Sequence, residues 1–75
     1  MFKITFDKEA DAAYIYFTKT DAGEVKRTYL CDPNENDGMI NLDFDKNNRL
    51  VGIEVLDASK KLPAELLEGA TRIDK

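Results

Sequence analysis

The sequence predicts an α+β fold: an antiparallel five-stranded β-meander with a short C-terminal helical segment packed on one face. Three observations carry this. Apolar residues recur at every second position through most of the stretch from Phe2 to Leu56, the period of strands with one buried face. Short polar segments rich in Asp, Asn and Gly interrupt the pattern. After Asp57 the period changes, and Leu62, Leu66 and Leu67 give the next segment one apolar side.

The elements follow in order. Phe2, Ile4 and Phe6 alternate with Lys3 and Thr5 as the first strand, and Asp7 to Asp11 reads as a turn. Ala12 to Thr18 is the second strand, with Ala13, Ile15 and Phe17 towards the core and Tyr14 and Tyr16 on the other face. Thr20 to Gly23 is a turn. Glu24 to Leu30 is the third strand, with Val25 and Tyr29 on one face and Lys26, Thr28 and Leu30 on the other. Cys31 to Gly38 is a polar loop. Met39 to Phe44 is the fourth strand, with Ile40, Leu42 and Phe44 inward and Asn41 and Asp43 outward. Asp45 to Asn48 forms a hairpin loop, where Asn tolerates left-handed backbone. Leu50 to Leu56 is the fifth strand, with Val51, Ile53 and Val55 inward and Gly52 and Glu54 outward. Asp57 is expected to cap a helical turn over Ala58-Ser59-Lys60. Pro63 suits the first position of a second short helix, Ala64 to Glu68, which Gly69 ends.

Seventy-five residues make one domain, 1–75, and a chain this short buries only about 60% of the surface its unfolded form exposes. Nothing staples it. Cys31 is the sole cysteine, and the absence of histidine removes the common zinc sets. Association with another chain is the remaining route to further burial, so a homo-oligomer, in the first place a dimer, is expected. Eleven basic against fifteen acidic residues leave a net charge of −4, which disfavours nucleic acid and suits a small basic protein partner. No apolar run approaches a membrane span, the first residues do not read as a signal peptide, and a lone cysteine fits the reducing cytoplasm.

The residues carry no catalytic set, and no cofactor or metal site is assigned. The pattern that comes nearest to a cation site is Asp43, Asp45, Asn47 and Glu54, at positions one, three, five and twelve of a calcium-loop spacing, with Leu50 at the apolar eighth. Such a loop needs a helix on each side, whereas both flanks here alternate as strands. A polar hairpin is the expected reading, with Asp43 and Glu54 near each other on its wet face. A second partial match from Asp32 through Asn34, Asn36 and Asp43 has Asp37 at the glycine position. Asp7, Glu9, Asp11 and Asp57 read as turn-capping or solvated acids rather than a catalytic pair. Ser59 beside Lys60 lacks a histidine, and neighbouring helical residues do not face each other. Cys31 sits next to the acidic Asp32, the opposite of the electropositive setting that activates a thiol.

Three stretches together are distinctive: Ile4 to Ile15, Gly38 to Asp45, and Arg49 to Lys60, the last containing Leu50-Val51-Gly52-Ile53-Glu54-Val55-Leu56-Asp57. This set resembles the YuzE-like proteins, the domain-of-unknown-function family 2283, over about residues 3–61, with 62–75 as a helical extension. The resemblance implies a compact β-rich α+β fold, a small stand-alone bacterial or archaeal protein, and no established activity or catalytic residues. Some members are encoded beside small toxin-like proteins, which implies a partner-binding, antitoxin-like role.

Overall fold

The computed structural model describes residues 3–18, 25–31 and 39–73. Among the described residues six strands form one sheet: β1 Lys3–Asp7, β2 Ala12–Tyr16, β3 Arg27–Leu30, β4 Ile40–Phe44, β5 Leu50–Leu56 and β6 Thr71–Arg72. Two short helices, α1 Ala58–Lys61 and α2 Ala64–Glu68, lie between β5 and β6. The α+β class, the five expected strands and both helical turns are present. The expected turn at Thr20 to Gly23 and all of the Cys31–Gly38 loop except Cys31 lie outside the described residues.

The meander is not. The strand order is β3-β4-β5-β2-β1-β6. β5 lies between β4 and β2, antiparallel to both, and β3 stands at the far edge rather than beside β2. The reason is burial. A central position covers a strand on both flanks, and β5, with Val51, Gly52 and Val55 buried, exploits it. All four residues of β3 remain exposed, which an edge tolerates. The second correction is β6, which pairs parallel with β1, Thr5 opposite Thr71 and Phe6 opposite Arg72, and makes the sheet mixed. The Ile73 amide continues this contact by donating to the Phe6 carbonyl at 2.9 Å. Two residues have no period to read, and the strand exists because α1 and α2 carry the chain back across the sheet.

The core lies between the helices and one row of the sheet. Register places Phe6 opposite Ala13, Ala13 opposite Val55, and Val55 opposite Ile40. Phe6, Ala13 and Val55 pack with Ala58 of α1 and Leu67 of α2, and Ile53, Leu62 and Ala70 close the sides. The small side chains at Ala13 and fully buried Ala58 let α1 approach the strands closely. Among the described residues no helix is long and apolar enough to cross a membrane.

Helix capping differs from expectation. Asp57 occupies the N-cap position of α1 but has φ 53° and makes no side-chain cap bond. Asp11 of the β1–β2 turn, itself at φ 52°, supplies the cap from a distance. Its carboxylate accepts from the Ser59 amide at 2.9 Å and the Ser59 hydroxyl at 2.7 Å, and its carbonyl accepts from the Ala58 amide at 2.9 Å. Ser59 is thus a capping partner. Asp11→Ala should cost about 1–2 kcal/mol and lower the melting temperature by several degrees, while Asp11→Asn keeps most of the cap. Thermal melts of the two variants test this, and equal melting temperatures would refute it. Pro63 serves as the N-cap of α2 rather than its first helical residue, and Gly69 ends that helix as expected.

Candidate functional site: the open sheet face and the β3 edge

The face of the sheet away from the helices is polar at its centre. Thr5, Tyr14, Glu54 and Asn41 lie in one row across β1, β2, β5 and β4, and Tyr16, Gly52, Asp43 and Thr28 in the next. The outward positions expected for Asn41, Asp43, Gly52 and Glu54 are therefore occupied as such. Tyr14 leans across Gly52 to donate its hydroxyl to Asp43 Oδ2 at 2.5 Å. The Thr28 hydroxyl donates to the other oxygen, Asp43 Oδ1, at 2.7 Å. Asn41 Nδ2 donates to Glu54 Oε1 at 2.8 Å. A Cβ on residue 52 would overlap the Tyr14 ring and hydroxyl, so the glycine makes this crossing possible. Tyr14 and Tyr16 pack against each other with ring centroids 4.5 Å apart. Thr5 Oγ1 and Asn41 Oδ1 are buried on this face without a hydrogen-bond partner among the described residues.

Burial pushes the Tyr14 phenol above its ordinary range, and the bond to Asp43 with the charges of Asp43, Tyr16 and Glu54 pushes the same way. The sign follows from linkage. A phenol whose folded value exceeds its unfolded value of 10.0 contributes stability that is whole below that pH and is lost as pH rises towards the folded value. Tyr14→Phe should be about 1–3 kcal/mol less stable at neutral pH, and its stability should fall less steeply than that of the wild type above pH 10. Denaturant melts across that range check it, and parallel curves would contradict it.

The acids that suggested calcium are placed as follows. Both flanks of the 45–49 turn are strands, and Asn48, at φ 64°, takes the left-handed position. Asp45 closes its own turn, accepting from the amides of Asn47 at 2.8 Å and Arg49 at 3.0 Å and from Arg49 Nε at 3.3 Å. The Arg49 amide first, helped by that of Asn47 and the guanidinium, holds the Asp45 carboxyl below its ordinary value. Asp43 and Glu54 share the open face but bond to different donors, and Asn47 is exposed on the turn. Among the described residues no three acidic or thiol side chains gather as a metal set. Of the match starting at Asp32, only Asp43 is described. Asp7 Oδ1 accepts from the amides of Glu9 and Ala10, a turn cap as expected.

The other feature is the β3 edge, which sequence patterning did not single out. Tyr29 and Leu30 are each 63% exposed, on opposite faces of an edge strand. On the helix side, Tyr29 meets Phe44 edge-on at 6.1 Å, and the Arg27 guanidinium lies over both rings at 5.8 and 5.5 Å. Arg27 also donates to Asn48 Oδ1 of the hairpin turn. The opposite edge, β6, is only two residues long. The signal for Tyr29 and Leu30 was their strand order, which periodicity does not carry. The signal for Tyr14 and Asp43 was Gly52 inside an apolar strand, a mark of close approach.

No curated protein and no solved structure matches the chain. Residues 3–59 match the family described as protein of unknown function (DUF2283). That span takes in β1 to β5 and the start of α1, hence both the open face and the β3 edge. The chain therefore belongs to the DUF2283 family.

Proposed function

We propose that this chain is a non-catalytic protein-interaction module that works through the β3 edge and associates first with a second copy of itself. The observation that carries the reading is the exposure of Tyr29 and Leu30 on a strand at the edge of the sheet. Monomers blunt such edges with short strands, charge or cover. The β6 edge is blunted by its length, whereas β3 bears a single charge, Arg27, and that is drawn onto its own aromatic rings. The small core supports the same reading, because added burial has the most to contribute where the chain alone buries least. A free Cys31 suits the cytoplasm. In the antitoxin-like form of this reading the same edge takes a strand from a small basic protein, drawn in by the net charge of −4.

Light scattering over about a hundredfold range of concentration tests the reading, because a self-associating domain changes both mass and melting temperature with concentration. A particle that stays monomeric and equally stable throughout, and that captures no basic partner, would end it.

The second reading is a small acidic ligand or cation binder on the hairpin, favoured by Asp43, Glu54 and Asn41 sharing one face. It ranks lower because both Asp43 oxygens already accept hydroxyl donors from the chain. Titration calorimetry with calcium, magnesium and manganese decides it, and neither heat nor a shifted melting temperature would remove it.

A further inference from the structure

The backbone of β3 determines how a partner strand can join it. The Cys31 amide donates to the Ile40 carbonyl at 2.9 Å, and Tyr29 lies opposite Leu42 two residues along. In an antiparallel ladder, alternate residues exchange both bonds with the same neighbour. Tyr29 and Cys31 therefore bond inward to β4, and the amides and carbonyls of Thr28 and Leu30 turn outward. Lys26 is not part of the outward set, because its amide donates inward to Phe44 at 2.8 Å.

Resting on the reading above, we propose that two copies pair through their β3 strands, antiparallel, about a two-fold axis passing beside Tyr29. Facing residues in such a pair must point to the same side of the sheet, so the axis must fall at a residue and not between two. An axis at Thr28 sets Leu30 against the partner's Lys26, whose amide is already engaged. An axis at Leu30 sends Thr28 past the end of the partner strand. The axis at Tyr29 sets Thr28 against the partner's Leu30 and Leu30 against the partner's Thr28. All four outward groups of each strand are then bonded, in four hydrogen bonds.

The side chains agree with this register. Tyr29 meets the partner's Tyr29 in a non-hydrogen-bonded pair, where side chains lie closest, and each ring is already backed by Phe44. On the open face Leu30 covers the partner's Thr28. Arg27 falls opposite the partner's Cys31, so no like charges oppose each other across the four described positions of β3. The two sheets become one of twelve strands, with a β6 edge at each end.

The experiment is cysteine cross-linking with Cys31 replaced by Ser. At the proposed axis the two Tyr29 Cα atoms stand about 4.5 Å apart, within disulfide reach. Tyr29→Cys should therefore oxidise to a covalent dimer. Leu30→Cys, facing the partner's Thr28, should not. Leu30→Pro removes only an outward amide, keeps the extended backbone already present at Tyr29, and should weaken the dimer at least about tenfold with an unchanged circular dichroism spectrum. A dimer that resists Leu30→Pro, or that cross-links as well at 30 as at 29, overturns this register and leaves self-association standing. A wild-type chain that is monomeric at every concentration overturns both.

Discussion

Phe6→Ala is expected to leave little or no folded protein at room temperature. Phe6 is 7% exposed and, among the described residues, is the largest side chain in a buried cluster that also holds two alanines, one valine and one leucine. Removing a buried aromatic costs about 3–5 kcal/mol, from lost transfer energy and the cavity left behind. Domains of this size hold at most several kcal/mol in reserve. The loss spreads beyond the cavity. The Arg72 guanidinium lies 5.6 Å above the Phe6 ring, so β6 loses the surface it stacks on. Phe6→Leu retains most of the volume and should cost under about 2 kcal/mol. Urea unfolding followed by far-ultraviolet circular dichroism separates the two. Equal midpoints for Phe6→Ala and the wild type would show that the core is not where these residues place it.

Gly52→Ala carries the next largest effect, about 2–3 kcal/mol, although it adds one methyl group. That methyl overlaps the Tyr14 ring and hydroxyl. Tyr14 must swing away, and Asp43 loses its shortest hydrogen bond. The cost combines overpacking with a lost bond to a charged acceptor, each of about 1–3 kcal/mol and partly alternative to the other. A double-mutant cycle isolates the contact. In a Tyr14→Ala background Gly52→Ala should be nearly neutral, so the coupling should approach the whole effect of the single change. The tyrosine titration should show the same event, with the Tyr14 phenol moving back towards its ordinary value in Gly52→Ala. Additive costs in the cycle would mean that Gly52 matters for some reason other than Tyr14.

Much of the fold was legible in the sequence because one physical signal dominates it. Alternation set which residues of β1, β2, β4 and β5 share a face, and these faces agree with the register from Phe6 through Ala13 and Val55 to Ile40. Turn chemistry placed the hairpin at Asp45 to Asn48, where Asn48 adopts the left-handed backbone. What alternation does not encode is adjacency. Nothing in the period of Arg27 to Leu30 says that this strand lies three places from β2, and so the exposed edge went unread. The cap on α1 was missed for a related reason. Local reading assigned it to Asp57, whereas Asp11 reaches it only once the sheet has formed. On the open face, the acids were expected outward and are outward, but their bonds to Tyr14, Thr28 and Asn41 depend on strand order. Across Gly52, alternation could place Tyr14 and Asp43 on one side and not in contact.

The position of β5 also governs when the domain can form. β2 and β5 lie side by side, Ala12 against Leu56 and Tyr16 against Gly52, although they stand about 40 residues apart in the chain. Everything between them must be synthesised and looped out before they meet, and closing that loop is the slow event. On the ribosome the β1–β2 hairpin emerges before β5, with Ala13 and Ile15 paired to β1 but still lacking their neighbours Val55 and Ile53 on the other side. It waits until Leu56 has left the exit tunnel. The sheet therefore closes late, when a single strand joins two halves that share no other strand pairing.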